Sequence, residues 1–159
     1  MNFSEKIKYF YETVISENQI ERIAEFISPE CQIKTGETLI PSGIDGMKEH
    51  IRATKQTYPD YRIRIIQQFC DGDYVISEFI MEGTHQGEWL GIKPTGKRLL
   101  FTGVNIDKIT DGLIVEHGGA VNTFETPVSY THLKVYLIVI CKLQLVLEIY
   151  FQIEQPIVL

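Results

Sequence analysis

A chain of 159 residues, 44% hydrophobic and 23% charged, is long enough to bury one core and too short for two comfortable domains. Its formal net charge of -6, with Lys and Arg scattered along the chain, excludes a nucleic-acid footprint, which needs basic residues gathered against phosphates. The three cysteines, Cys31, Cys70 and Cys141, are odd in number and lack CxxC spacing, so they signal neither a disulfide framework nor a zinc site.

The start, Met1-Asn2-Phe3-Ser4-Glu5, has no basic region followed by an apolar one, as a secretory signal would, and a reduced, cytoplasmic setting is expected. Asn2 with Glu5 three residues on is a capping-box pattern. Phe3, Ile7, Phe10, Tyr11, Val14 and Ile15 then recur at helical spacing, which predicts a first helix to about Ser16. Asn18 with Glu21 repeats the cap, and Ile20, Ile23, Ala24 and Ile27 predict a short second helix that stops before Pro29. A brief strand over residues 31–35 and a loop over residues 36–46 come next. Met47, Ile51, Thr54 and Tyr58 form a third helical stripe closed by Pro59-Asp60.

From Tyr61 the chain turns to β-branched and aromatic runs separated by Asp-Gly turns, predicting strands over residues 61–70, 74–85, 97–109 and 113–124. A Gly- and Pro-bearing loop over residues 86–96 joins the middle two. The expected fold is α+β, with three N-terminal helices packed on a curved antiparallel sheet around an internal pocket.

The longest apolar stretch, residues 135–141, lies between Lys134 and Lys142 and falls far short of the roughly 20 residues of a membrane span. Residues 128–133, Val-Ser-Tyr-Thr-His-Leu, are what one reading frame of the transposon end used in sequencing libraries encodes. The rest of the chain, to Leu159, is rich in Leu, Ile, Val, Tyr and Lys, as an arbitrary frame through AT-rich DNA would be. The expected organisation is one domain over residues 1–125 and a non-native tail over residues 126–159. The alternative is a real terminal strand, since Leu143, Leu145, Leu147, Ile149, Phe151 and Ile153 alternate at period two.

Residues 83–122 read GTHQGEWLGIKPTGKRLLFTGVNIDKITDGLIVEHGGAVN. This stretch resembles the hallmark of the SnoaL-like polyketide cyclase and ester cyclase family, a branch of the nuclear-transport-factor-like superfamily, which runs roughly GTHxGxxxGxxPTG, then strand, Asp-Gly turn and strand. Tyr58-Pro59-Asp60, Gly72-Asp73 and the Gly-rich entry to the third helix at residues 43–47 match the family as well. The resemblance implies a cone fold that holds a small hydrophobic molecule, pairs as a homodimer through its exposed sheet face and closes a ring by an aldol step. It implies no metal or organic cofactor, and the charge and apolar runs read above add no nucleic acid and no membrane as partners.

In the family an Asp takes and returns the proton. By alignment that Asp falls on Asn122, the family's Trp two residues after the Glu falls on Gly118, and a frequent His falls near Lys34. Two functions are therefore open. In the first, an aldol cyclase or isomerase acts on a carbonyl-bearing substrate, with Glu116 or His85 as proton carrier and Asn122 and Asn105 as oxyanion donors. In the second, a non-catalytic ligand-binding or homodimeric scaffold domain has lost the acid. Period-two alternation puts Glu116, Gly118, Ala120 and Asn122 on one face. Trp89, Asn105, Tyr58, Met47, Lys34 and Gly118 are the expected pocket residues, although Trp89 would serve equally as a core cap. His85 and His117 are open to both readings, as satisfied strand histidines or as proton carriers.

Overall fold

The computed structural model describes residues 2–88 and 91–122, so Trp89 and the expected tail lie outside the described residues. The N-terminal stripe forms α1 (Phe3–Tyr9) under a complete capping box: Asn2 accepts from the Glu5 amide at 2.8 Å and Glu5 accepts from the Asn2 amide at 3.2 Å. Two amides that a helix start leaves bare are thereby satisfied. The helix then widens into a π-helical turn (Phe10–Ile15), in which the Ser16 amide reaches the Tyr11 carbonyl, five residues back, at 3.3 Å. Phe10, Tyr11, Val14 and Ile15 all point into the core as a result.

The second helix is a 3-10 helix (Ile20–Glu25), and the Asn18–Glu21 pair does not cap it. Asn18 instead takes a left-handed conformation, φ 59°, that ends the preceding turn. Ile27 leaves the helix and begins β1 (Ile27–Thr35), so Pro29 lies inside a strand, in the irregular stretch between Ile27 and Gln32 where regular pairing is interrupted. The segment expected as loop holds β2 (Thr38–Pro41), a hairpin partner of β1. All of β2 is exposed, so no alternation of burial betrays it. Then α2 (Gly43–Thr57) lays Met47 and Ile51 on the core, and Lys55 anchors it by donating to the carbonyls of Ser16 at 2.9 Å and Tyr61 at 3.0 Å.

The four long strands appear as expected: β3 (Arg62–Asp71), β4 (Tyr74–Thr84), β5 (Arg98–Thr110) and β6 (Leu113–Asn122). Asp111 and Gly112, with φ of 51° and 78°, make the two-residue turn between the last pair, whose positive φ values match the twist of the strands. The sheet is open, in the order β2-β1-β6-β5-β4-β3. Its β1–β6 pairing is parallel, which corrects the expectation of a wholly antiparallel sheet. That pairing joins the first strand to the last, and no local turn dictates its direction.

Odd-numbered positions of β4 and β5 face the helices, where Val75, Ser77, Phe79, Leu99, Phe101, Asp107 and Ile109 are buried, while Leu100, Val104 and Ile106 are exposed on the outer face. Phe10 stacks on Phe26 at 5.0 Å between ring centres, and Ile7, Val14, Ile23, Ile27, Ile51 and Ile114 close around them. Each such side chain contributes roughly 1.5–3 kcal/mol of burial. On β6 the register passes from Ile109 opposite Ile114 to Lys108 opposite Glu116, so Val115 is an extra residue. That bulge changes the phase of the strand: Ile114 and His117 face inward, and Glu116 faces out. Among the described residues no helix is long and apolar enough to cross a membrane.

Candidate functional site

Between α2, the π-helical turn and the inner face of the sheet lies a cavity of about 720 Å³. Phe10, Tyr11, Tyr58, Tyr61, Phe79 and Phe101 give it aromatic walls, and Met47 and Ile51 descend from α2. Ligand cavities are typically of this size and apolarity, with a few polar groups that orient the occupant. Here those groups include Asn105 on β5, His117 on β6 and His50 on α2, with Lys34, Gln56 and Glu88 also on the lining.

Behind the wall stands Asp107, which is fully buried. Its Oδ2 accepts from the Tyr11 hydroxyl at 2.7 Å, and its Oδ1 lies 2.7 Å from His117 Nδ1. Both carboxylate oxygens are thus occupied, as a buried charge requires. Burial first, and the Asp107 charge second, hold the Tyr11 phenol well above its ordinary value, so it stays protonated and donates; the Asn105 side chain acts on it in the opposite direction by hydrogen bonding to its oxygen. With Asp107 accepting at Nδ1, His117 keeps its Nδ1 proton and leaves Nε2 as the ring nitrogen for the cavity. The π-helical turn and the β6 bulge create this meeting by turning Tyr11 and His117 toward the same carboxylate.

Of the expected pocket residues, Met47, Tyr58 and Asn105 line the cavity. Lys34 and Gly118 border it from the parallel β1–β6 pair, but they are partners in register on the outward phase. Little room lies beside Gly118, where the family's Trp falls: a Cβ there would lie 3.1 Å from the Lys34 carbonyl oxygen and 3.2 Å from Lys34 Cβ. At Gly119 a Cβ would lie 2.3 Å from the Val104 carbonyl oxygen and 3.0 Å from Asn105 Oδ1, so the missing side chain makes way for Asn105.

Glu116, Gly118, Ala120 and Asn122 do share a face, but it is the outer one. Glu116 accepts from Lys108 there at 2.9 Å, and Asn122 stands opposite Thr102 beside a second hollow of about 450 Å³. Asn105, opposite Gly119, is on the other face from Asn122. His85 is buried against Tyr58, with Nδ1 3.1 Å from the Thr95 hydroxyl, and it holds the base of the β4–β5 loop through its amide and carbonyl. The structure therefore does not bring Glu116, Asn122 and His85 together.

Sequence reasoning missed Asp107, Tyr11 and His50. One signal was available for Asp107: a carboxylate in phase with Gly103 and Ile109 on a strand is anomalous at a core position. Among the described residues no group of three or more His, Cys, Asp or Glu side chains is placed to hold a metal ion.

A family model described as SnoaL-like polyketide cyclase matches residues 5–126. Among solved structures the chain is similar to IdmH of Streptomyces antibioticus, a candidate polyketide cyclase, at 26% identity and a TM-score of 0.66, over 77% of this chain and 93% of that one. It is similar in fold to AclR of Streptomyces galilaeus, a candidate hydroxylase, at 22% identity and a TM-score of 0.66, over 77% and 92%. A candidate polyketide cyclase of Acidithiobacillus ferrooxidans is 21% identical, with a TM-score of 0.66, over 77% and 89%. No curated protein matches the chain.

Proposed function

This chain belongs to the SnoaL-like polyketide cyclase family, and from that premise we propose that it binds a small apolar carbonyl compound in its cavity and moves a proton on it, as an aldol cyclase or an isomerase. The observation that carries this reading is the buried Asp107 bonded to His117 at 2.7 Å on the cavity wall. A carboxylate at Nδ1 fixes the ring's tautomer and orientation and stabilises the imidazolium, so Nε2 can hand a proton to a carbonyl oxygen and take it back. Asn105, held beside Tyr11 and Gly119, is placed to donate to the enolate oxygen that forms. The chemistry asks nothing of a cofactor, since substrate and product differ only in where a proton and a bond lie.

The second reading is a non-catalytic, homodimeric binding domain. It is favoured by a row of apolar side chains across the outer face, where Phe69, Ile76 and Ile106 are neighbours in register and Phe69 and Ile106 are exposed. A panel of small β-keto esters and aromatic polyketide intermediates separates the two readings. Wild type, Asp107→Asn and His117→Gln are compared for product formation and for ligand-induced shifts in Tm. Turnover by the wild type that falls at least ~100-fold in both variants supports the enzyme. An Asn at position 107 would present its NH2 to Nδ1 and force the other tautomer, so binding should survive where turnover does not. Binding by the wild type without turnover selects the second reading.

A further inference from the structure

We propose that His50 is a catalytic residue of this cavity, the base that works opposite the His117–Asp107 pair as acid. The inference rests on the proton-transfer reading above and deepens it. His50 borders the cavity from α2 and His117 borders it from β6, so a flat carbonyl compound lodged between helix and sheet meets an imidazole from each layer. The two rings differ in what stands behind them. His117 has a buried carboxylate at Nδ1, which fixes its ring orientation and aims Nε2 at the cavity. No carboxylate is bonded to His50 among the described residues; the ring is exposed at the cavity rim, and desolvation against the cavity wall, followed by the charge of His117, holds it below the ordinary histidine value. Tyr11 from the π-helical turn, Lys34 from β1, Tyr58 and Tyr61 around the α2–β3 junction and Glu88 beyond β4 also border the cavity, yet it is His117 whose charge acts on His50. In the cycle proposed, His117 starts as the proton donor and His50 as the ring with a lone pair to accept one.

The bookkeeping of bonds closes on these two rings. The α C–H bond of the substrate breaks and its proton goes to His50. The bonding pair forms the enol C=C, and the carbonyl oxygen takes the proton from His117. In ring closure the enol carbon attacks a second carbonyl of the same molecule, and the new C–C bond forms. The enol O–H proton returns to His117, and the new alkoxide oxygen takes the proton from His50. The product is an isomer of the substrate, and both histidines end as they began. Neither oxidant nor reductant enters.

The test uses the full chain with the aromatic ketone indanone as carbon acid, following replacement of its α-protons by deuterium in heavy water by NMR across pH. We expect His50→Gln to exchange about 100-fold or more slowly than wild type. The loss should lie in kcat rather than KM, and the acidic limb of the pH profile, which reports the base losing its lone pair, should vanish. In ring-proton titrations His50 should have a midpoint below about 6.5, and that midpoint should rise in His117→Gln, where the neighbouring charge is gone. Exchange at the wild-type rate in His50→Gln, with loss confined to His117→Gln, overturns the role of His50 and leaves the proposed function standing. A His50 midpoint indifferent to His117→Gln also overturns it. No exchange by the wild type removes the proposed function and this inference together.

Discussion

At the scale of single residues, the site depends on atoms that are absent as much as on those present. Gly119 has no Cβ, and the space is taken by the Val104 carbonyl and the Asn105 side chain. Gly119→Ala should cost about 1–3 kcal/mol, because a strand carbonyl cannot retreat without breaking its ladder. It should also push Asn105 off Tyr11, so the variant should lose turnover beyond what its lower urea midpoint explains. An unchanged midpoint would show that the strands part easily there. Asp107 is the clearest lesson at this scale. Its identity and core phase were visible in the alternation of β5, but its partners Tyr11 and His117 come from 96 and 10 residues away. Nothing local to any of the three announces that they meet.

Elements place these residues by departing from regular geometry. An unbroken α-helix through Phe10–Ile15 would set Tyr11 at another angle, and β6 without its bulge would turn His117 to the outer face. The junction of α2 with β4 is pinned in a third way: Asp60 accepts from the Thr84 amide at 2.6 Å and from its hydroxyl at 2.8 Å. These bonds, the amide first, hold the Asp60 carboxyl below its usual range. A depressed folded value contributes stability above the unfolded carboxylate range, near about 3.9, and that contribution is lost as pH falls through the folded value. Asp60→Asn should therefore lower stability at neutral pH by about 1 kcal/mol at most, since the group is exposed and screened. Thermal melts should show the gap from wild type closing below about pH 4. A gap that persists in acid would mean that Asp60 acts by shape and not by charge.

For the whole molecule, the helical stripes and the four long strands all lie before Thr123, and the buried side chains among the described residues come mostly from them and from β1. A chain ending at Glu125 should melt cooperatively and as high as the full chain, and it should elute as a dimer through the outer row of Phe69, Ile76 and Ile106. An insoluble or non-cooperative product would mean that residues 126–159 belong to the fold, and a monomer would remove the dimer proposal.

The sequence by itself determined the capped first helix, the span of α2 to within a few residues, the four strands and the turn at Asp111-Gly112, because caps, periodicity and positive φ are properties of neighbours in the chain. It also carried the family, since the Gly, Pro and Thr pattern of residues 83–96 reports the bends of one particular sheet. Only the tertiary structure decided which face of β6 looks into the cavity. Alternation gives Glu116, Gly118, Ala120 and Asn122 a common face but not its direction, and one extra residue at Val115 sends that face outward. The parallel β1–β6 pairing and the meeting of Tyr11, Asp107 and His117 were likewise settled by register between distant segments, which no single stretch of chain contains.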